Sequence, residues 1–163
     1  MADVEKNIYY ARLAEQGERF EDICTHMKAV IKVSLAPAQT GTHPLTNASL
    51  QSGHQLTSLE RNLLSVGYKN TVASRRAAWR TLSDIQETED FKKSKGDDKN
   101  GDQLCKWYKE KIQDELQNYC NEILDLLQGP DGLIAKQQGK EAAVFFKKMK
   151  GDYFRYLCEI HTA

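Results

Sequence analysis

The 163-residue chain has little of what marks several classes of protein. Its 23 Lys and Arg residues are matched by 23 Asp and Glu residues, so it lacks the basic excess that is typical of nucleic-acid-binding proteins. No apolar run approaches the ~18 residues of a membrane-spanning helix, and the N-terminus has no signal-peptide core. The composition therefore predicts a cytoplasmic protein with no nucleic-acid partner and no membrane insertion.

The four cysteines show neither the spacing of a metal site nor that of a disulfide framework. Cys24, Cys105, Cys120 and Cys158 form no CxxC pair and no paired pattern with His, so we expect no metal and no cofactor. Cys120 and Cys158 lie in apolar helical sequences, which predicts buried free thiols. No nucleophile–base pair is visible, so we expect no catalytic residue and no enzymatic activity.

The chain is instead rich in apolar residues at helical spacing, whereas the alternation typical of strands is nearly absent. This periodicity predicts one all-α domain over residues 1–163, an antiparallel bundle of about five helices. The second of these follows Gly17 and carries a core stripe from Phe20 to Ile31. The other four are expected at about Asp3–Gln16, Ser58–Glu87, Asp102–Gln128 and Lys136–His161.

Local signals mark the segment before the third helix. Residues from about 34 to 56 are rich in Pro, Gly, Thr and Ser, which predicts an unusually long loop. Thr57 and Glu60 then stand at the spacing of a capping box at the helix start. Three aromatic residues further along are expected to lie in the core: Trp107, Phe145 and Phe154.

Two helices each carry a pair of cations seven residues apart. Lys69 and Arg76 form the first pair, and their spacing places them on one helical face about 10.5 Å apart along the axis. Lys148 and Arg155 repeat this arrangement near the C-terminus. Residues 69–80 contain four cations and no anion, which favours an external anion as their partner. Two such helices facing a common groove would form a receptor for a phosphate group.

A more ordinary interpretation of both basic faces is a solvated surface. It is stronger for the second pair, because Asp152 and Glu159 follow Lys148 and Arg155 by four residues and would neutralise them. Tyr156 also has two interpretations, since it would either pack in the core or offer its hydroxyl to a ligand oxygen.

Four segments carry a resemblance to a known family. RNLLSVGYKNTVASRRAAWR and KMKGDYFRYL resemble the two signatures of the 14-3-3 proteins, and LAEQGERFED and YKEKIQDELQNYCNEILDLL extend the similarity over most of the chain. The resemblance implies a dimeric, all-helical adaptor whose partners are proteins or peptides carrying phosphoserine or phosphothreonine. It implies that Lys69, Arg76, Arg155 and Tyr156 hold the phosphate, and that Lys148 borders the groove.

The resemblance also implies a homodimer, or a heterodimer with related chains. The apolar and small residues that match the family interface are Leu13, Gly17, Ala78, Leu82 and Tyr108. Two charge pairs are expected across the two-fold axis, Arg19 with Glu115 of the partner and Asp22 with Lys111.

Family members continue for four further helices beyond the fifth, whereas this sequence ends at Ala163. We therefore expect a C-terminally truncated domain that holds the phosphate pocket, the dimer platform and half of the peptide groove. The resemblance also makes the loop over residues 34–56 an insertion of about twenty residues. An alternative function stays open: a non-catalytic dimerisation or structural module that has lost effective phosphopeptide binding.

Overall fold

The computed structural model describes residues 3–35, 54–88 and 99–161. Within these ranges the chain forms six helices and no strand, which confirms the predicted all-α class. The helices are α1 (Asp3–Gln16), α2 (Phe20–Leu35), α3 (Ser58–Glu87), α4 (Lys99–Leu127), α5 (Leu133–Lys136) and α6 (Lys140–His161).

The last predicted helix is in fact two. It was expected from about Lys136, but the long helix α6 begins only at Lys140, and the short α5 precedes it. Gly139, which separates them, has a φ of +98°, a backbone conformation that favours glycine and that a continuous helix does not contain. The segment between α4 and α6 therefore turns before α6 begins.

The predicted loop over residues 34–56 begins two residues later than expected. Ser34 and Leu35 still belong to α2, and Ser34 returns its hydroxyl to the Val30 carbonyl at 2.9 Å, a bond that a helical serine makes easily. Residues 54–57 are described as non-helical, and the rest of the predicted loop lies outside the described residues.

The helices pack in series, α1 on α2, α2 on α3, α3 on α4, and α4 on α6. The predicted stripe on α2 is confirmed, because Ile23, Met27, Val30 and Ile31 are all fully buried while Phe20 packs at the edge. Since α3 and α6 both lie on α4, their facing side chains meet across a shallow groove.

Polar contacts fix the start of α3 against the start of α6. The predicted capping box is confirmed: the Glu60 amide donates to Thr57 Oγ1 at 3.3 Å, and the Thr57 amide donates to Glu60 Oε2 at 2.8 Å. Arg61, which is buried, donates to Glu141 Oε1 on α6 at 2.7 Å and to the Leu56 carbonyl at 2.8 Å. These bonds set the register of the two helices that carry the predicted cations.

Two of the three aromatic residues assigned to the core are exposed, so that prediction was wrong. Trp107 is 60% exposed and Phe154 is 43% exposed, while Phe145 packs partly against the core. The periodicity of a sequence identifies an apolar helix face, but it does not show whether another helix covers that face. In the N-terminal part of α4 nothing does so, because no described side chain between residues 101 and 111 is buried. Cys158 is likewise exposed, whereas Cys120 is buried as predicted.

Candidate anion-binding site

A cavity of about 340 Å³ opens between α3 and α6. Ser65 and Lys69 of α3 line one side. Side chains of α6 line the other, among them Lys148, Asp152, Arg155 and Tyr156. We call this space the basic cavity. It brings together four of the five residues that the sequence assigned to a phosphate site.

Lys69 is the uncommitted cation of the basic cavity. Its side chain is exposed, and no ion pair joins it to a residue of the described ranges. The hydroxyl of Tyr156 likewise makes no hydrogen bond to a described residue. Both groups are therefore available to water or to a ligand in the basic cavity.

The two cations from α6 share one carboxylate. Lys148 Nζ donates to Asp152 Oδ2 at 2.7 Å, and Arg155 Nη2 lies 3.6 Å from Asp152 Oδ1. The hydrogen bond from Lys148, together with the charges of Lys148 and Arg155, outweighs partial burial and holds the pKa of Asp152 below its usual range. The same hydrogen bond and charge raise the pKa of Lys148. The predicted neutralisation of Lys148 by Asp152 is therefore confirmed.

Two guanidinium groups lie against the ring of Tyr156. The Arg76 Cζ lies 4.2 Å from the centroid of its ring, and the Arg155 Cζ lies 4.6 Å from it. The ring meets Tyr153 edge-on at 5.6 Å, and Tyr153 in turn meets the fully buried Tyr68 at 6.5 Å. This column fixes Tyr156 to the core, and cation–π attraction orders both arginines around it.

Arg76 does not line the basic cavity, and a carboxylate of α6 holds its guanidinium. Arg76 donates from Nε at 3.0 Å and from Nη2 at 2.5 Å to Glu159 Oε2, and Arg80 donates from Nε at 2.6 Å to Glu159 Oε1. Partial burial alone would raise the pKa of Glu159, but the hydrogen bonds from Arg76 and Arg80 hold it below its usual value.

The expectation that residues 69–80 need an external anion was wrong for three of the four cations. Arg76 and Arg80 bind Glu159, and Arg75 binds Glu21 at 2.5 Å and Glu115 at 3.3 Å. These anions come from α2, α4 and α6. The sequence of α3 alone therefore could not predict them as partners of its arginines. Glu159 was expected beside Arg155, and no sequence signal distinguishes that pairing from the observed one.

The basic cavity together with Arg76, Arg80 and Glu159, which we call the basic site, keeps an excess of positive charge. Two carboxylates, Asp152 and Glu159, face five cations: Lys69, Arg76, Arg80, Lys148 and Arg155. The excess of three positive charges suits an anion with several acceptor oxygens, since hydrogen bonds between charged partners are roughly twice as strong as neutral ones.

The residues predicted for a dimer interface differ in exposure. Leu13 and Tyr108 are 51% and 49% exposed, which is high for large apolar side chains, and Gly17 is also exposed. Ala78 and Leu82 are half-buried because they pack partly against the core of their own chain.

Three of the four charges predicted to pair across the dimer are engaged within the single chain. Arg19 Nε donates to Asp22 Oδ2, and this contact raises the pKa of Arg19. Glu115 accepts from Arg75. Lys111, the fourth, extends its ammonium over the Trp107 ring at 5.9 Å.

Other chemistry finds little support in the described ranges. No group of three or more His, Cys, Asp or Glu residues there is arranged to hold a metal ion. None of the six described helices contains an apolar stretch of the length that a lipid bilayer requires. Burial raises the pKa of both Cys24 and Cys120 to about 12, so neither thiol supplies a thiolate nucleophile near neutral pH.

Comparison with known proteins identifies the family. A family model described as "14-3-3 protein" matches residues 10–163. The chain belongs to the 14-3-3 family. It is 41% identical over 155 residues to the 14-3-3-like protein GF14 iota of Arabidopsis thaliana, an alignment that covers 95% of this chain and 48% of that relative. It is 40% identical over 158 residues to 14-3-3 protein beta/alpha of Homo sapiens, covering 97% of this chain and 53% of the relative.

A relative from tomato matches the chain with similar identity and coverage. The chain is 40% identical over 155 residues to 14-3-3 protein 7 of Solanum lycopersicum, which covers 95% of this chain and 52% of that protein. The chain thus spans about half the length of the curated relatives it matches. The 14-3-3 family model confirms the resemblance drawn from the four sequence segments, and its range contains every cation of the basic site.

Proposed function

We propose that this 14-3-3 chain is a non-catalytic adaptor that binds proteins through phosphoserine or phosphothreonine. The observation that carries the proposal is the convergence of donors on the basic cavity: Lys69 from α3, which has no ion pair in the described ranges, with Arg155 and the Tyr156 hydroxyl from α6. Its site residues are those the sequence assigned, Lys69, Arg76, Lys148, Arg155 and Tyr156.

Phosphate is the anion that this site suits best. A phosphoserine carries about −1.5 to −2 charge and three strong acceptor oxygens, which match an excess of three positive charges distributed over two helices. An unphosphorylated serine offers no charge, so it would leave the cations of the basic site unneutralised. Binding would then depend on phosphorylation of the client, as regulation of client proteins in signalling requires.

The alternative is a dimerisation module without useful peptide binding, and the two functions make different predictions. If the chain is an adaptor, the basic cavity must recognise phosphate. If it is a dimerisation module, Lys69 and Arg155 belong only to a solvated face. An enzymatic role would need a general base in the cavity, and the one carboxylate among its lining residues, Asp152, is paired with Lys148 and Arg155.

Calorimetric titration of this chain with a phosphoserine peptide and its unphosphorylated twin tests the proposal. We expect binding of the phosphopeptide alone. Lys69→Ala should weaken it by roughly 1.5–3 kcal/mol, the usual range for a hydrogen bond to a charged group, or about one to two decades in Kd. Lys147→Ala is the matched control, because Lys147 is an exposed lysine of α6 that does not line the cavity.

Equal losses in the two variants would show that general surface charge, and not the basic cavity, attracts the peptide. Equal affinity for the two peptides in the parent chain would refute phosphate-dependent binding itself and favour the dimerisation module.

We further propose that the chain pairs with a second copy or with a related 14-3-3 chain. The exposed side chains of Leu13 and Tyr108 favour this, since apolar groups of that size are covered in most interfaces. Exposed ion pairs contribute only about 0–1 kcal/mol each, so Arg19, Asp22 and Glu115 can exchange their partners within the chain for partners across the two-fold axis at small cost.

Sedimentation equilibrium at micromolar concentration tests the pairing. We expect a mass near twice 18.6 kDa. Leu13→Glu should shift the mass toward the single chain, because it places a charge in the apolar part of the interface. Leu59→Glu is the control, since Leu59 is 68% exposed but lies outside the predicted interface. A single-chain mass at every concentration would refute the pairing.

A further inference from the structure

The exposed large apolar side chains of this chain are unevenly distributed. Ten such side chains are exposed in the described ranges, and six of them lie on only two segments, α1 and the N-terminal part of α4. These six are Tyr9, Tyr10, Leu13, Leu104, Trp107 and Tyr108. Single exposed apolar residues are ordinary, whereas a concentration of them marks a surface that another molecule covers.

On α4 the exposed side chains form one continuous stripe. Leu104, Trp107, Tyr108 and Lys111 stand at the spacing i, i+3, i+4 and i+7, which places them on the same helical face. The Lys111 ammonium lies 5.9 Å from the centre of the Trp107 ring. Two members of the stripe, Tyr108 and Lys111, belong to the dimer interface that the sequence predicted. Leu104 and Trp107 therefore continue that surface beyond the residues assigned to it, and both are more exposed than Tyr108.

The exposed face of α1 has a matching character. Tyr9 and Tyr10 precede Leu13 by four and three residues, so both rings lie on the same side of the helix as this predicted interface residue. Their ring centroids are 6.3 Å apart, and the Tyr10 ring lies 5.3 Å from that of His26 on α2. Within one chain α1 packs mainly on α2 and α4 packs mainly on α3, so both exposed faces are left uncovered.

We propose that these two faces cover each other in a pair of identical chains, with Leu104 and Trp107 of one copy packed against the two tyrosines on α1 of the other. The inference deepens the proposed pairing and rests on it, because it adds four apolar residues per chain to the interface. A second copy is the partner that fits, since each chain carries both faces and a two-fold axis satisfies both at once.

The contacts predicted across the pair bring these residues to the same level. Leu13 precedes Arg19 by six positions, and Tyr108 precedes Glu115 by seven. A pair in which Arg19 faces Glu115 and Leu13 packs on Tyr108 therefore sets α1 of one copy beside α4 of the other, in the same direction. A further four positions toward each N-terminus, about 6 Å along a helix, lie Leu104 on α4 and the first of the two tyrosines on α1.

The amount of apolar surface favours this extended interface over a smaller one. An aromatic side chain buries about 150–250 Å² when it is fully covered, so a half-exposed side chain of this size has on the order of 100 Å² left to bury. Leu13 and Tyr108 from two copies would supply roughly 400 Å². The four added side chains of each copy raise this area to roughly 1,200 Å², which reaches the range of stable protein interfaces.

Tryptophan fluorescence of the full chain tests this interface, because the chain contains only two tryptophans. Trp79 is buried in the core of one chain, whereas Trp107 is exposed, so a partner that covers the α4 face changes the surroundings of Trp107 alone. Water around an exposed indole moves its emission to longer wavelength. We therefore expect the emission maximum of the single chain, obtained by dilution or by Leu13→Glu, to lie at longer wavelength than that of the pair. In Trp107→Phe this difference should be absent.

Truncation measures what the tryptophan contributes. Trp107→Ala should raise the Kd of the pair at least about tenfold, because a buried tryptophan anchor carries a large share of the binding energy and is lost twice in a symmetric pair. Phe154→Ala is the matched control and should leave the Kd unchanged. Phe154 is also exposed and has the Lys150 ammonium 5.7 Å from its ring, but it lies on α6, outside both faces. Far-ultraviolet circular dichroism of each variant checks that the helices are intact.

The outcomes separate this inference from the pairing beneath it. If the parent pairs and its emission equals that of the single chain, Trp107 is not covered, and the inference is wrong while the pairing stands. If Trp107→Ala pairs as tightly as the parent, or Phe154→Ala weakens the pair equally, the α4 face is not the interface, which also overturns the inference. If sedimentation shows a single-chain mass for the parent at every concentration, the pairing fails and the inference fails with it.

Discussion

Gly67 of α3 lies close against Ile23 and Cys24 of α2, and it gives the sharpest test of how this core is packed. A Cβ added to Gly67 would lie 2.8 Å from Ile23 Cγ2, 3.0 Å from Ile23 Cβ and 3.3 Å from the backbone nitrogen of Cys24. Ile23 is fully buried and branched at Cβ, so it cannot rotate away easily. We therefore expect Gly67→Ala to destabilise the chain.

The magnitude follows from two opposing contributions. Alanine is favoured over glycine in a helix interior by roughly 1 kcal/mol. Overpacking of a filled core costs about 1–3 kcal/mol, and the 2.8 Å contact with Ile23 Cγ2 is shorter than real Cβ atoms make. The net change in the free energy of unfolding should be a loss of up to about 2 kcal/mol.

Gly151 is the matched control for this substitution. It lies inside α6 with nothing within 4 Å of an added Cβ, so Gly151→Ala should gain the helix preference without the clash and stabilise by roughly 1 kcal/mol. Urea unfolding followed by circular dichroism, at one protein concentration for all variants, measures both changes.

Replacement of the clashing atom provides the decisive comparison. Ile23→Leu removes Cγ2 at nearly constant volume, so the loss caused by Gly67→Ala should be smaller in that background, a departure from additivity expected of residues in contact. The packing argument is refuted if Gly67→Ala and Gly151→Ala stabilise equally, or if Ile23→Leu leaves the loss unchanged.

Three further predictions concern the cap, the acid response and the stacked tyrosine. Thr57→Ala should lower the free energy of unfolding by about 1 kcal/mol, because it removes the oxygen that caps α3, and urea unfolding measures this. Because the pKa of Glu159 is lowered in the folded chain, its ionised carboxylate stabilises the fold at pH values above the ordinary pKa of 4.5. This stability is lost as the pH falls through the pKa of the folded state. The free energy of unfolding, measured with urea at a series of pH values below 4.5, should therefore fall more steeply with pH for the parent than for Glu159→Gln. Parallel plots of this free energy against pH would contradict the assignment. Tyr156→Phe keeps the ring beside the Arg76 and Arg155 guanidiniums, so phosphopeptide binding should weaken only through the lost hydroxyl, by roughly 1.5–3 kcal/mol, the range for a hydrogen bond to a charged group, as titration calorimetry would show.

Local rules were sufficient to predict most of the fold. The stripe from Ile23 to Ile31 and the capping box at Thr57 depend on residues that are close in sequence, and both are confirmed. Errors arose where a neighbouring element decides the outcome. Trp107 lies at helical spacing with the buried residues of α4, yet it is exposed because burial requires a second surface. The break before Lys140 depends on a positive φ at Gly139, and a single glycine in a sequence does not reveal its backbone conformation.

The site shows the same division between local and distant information. The spacing of Lys148, Arg155 and Tyr156 on one helix brings them to one cavity, as the sequence predicted. The partners of Arg76 could not be predicted, because Glu159 lies 83 residues away and only the packing of α3 and α6 on α4 brings it near. Charge patterns along one helix therefore overestimate how many cations await a ligand.

The most direct test of the proposed function is a structure of this chain with a bound phosphoserine peptide. We predict that the phosphate occupies the basic cavity, with its oxygens within hydrogen-bonding distance of Lys69 Nζ, the Arg155 guanidinium and the Tyr156 hydroxyl. We also predict that Glu159 still holds Arg76 and Arg80. A phosphate bound elsewhere on the chain, or a peptide bound with its phosphate in solvent, would contradict the assignment of this cavity as the phosphate-binding site.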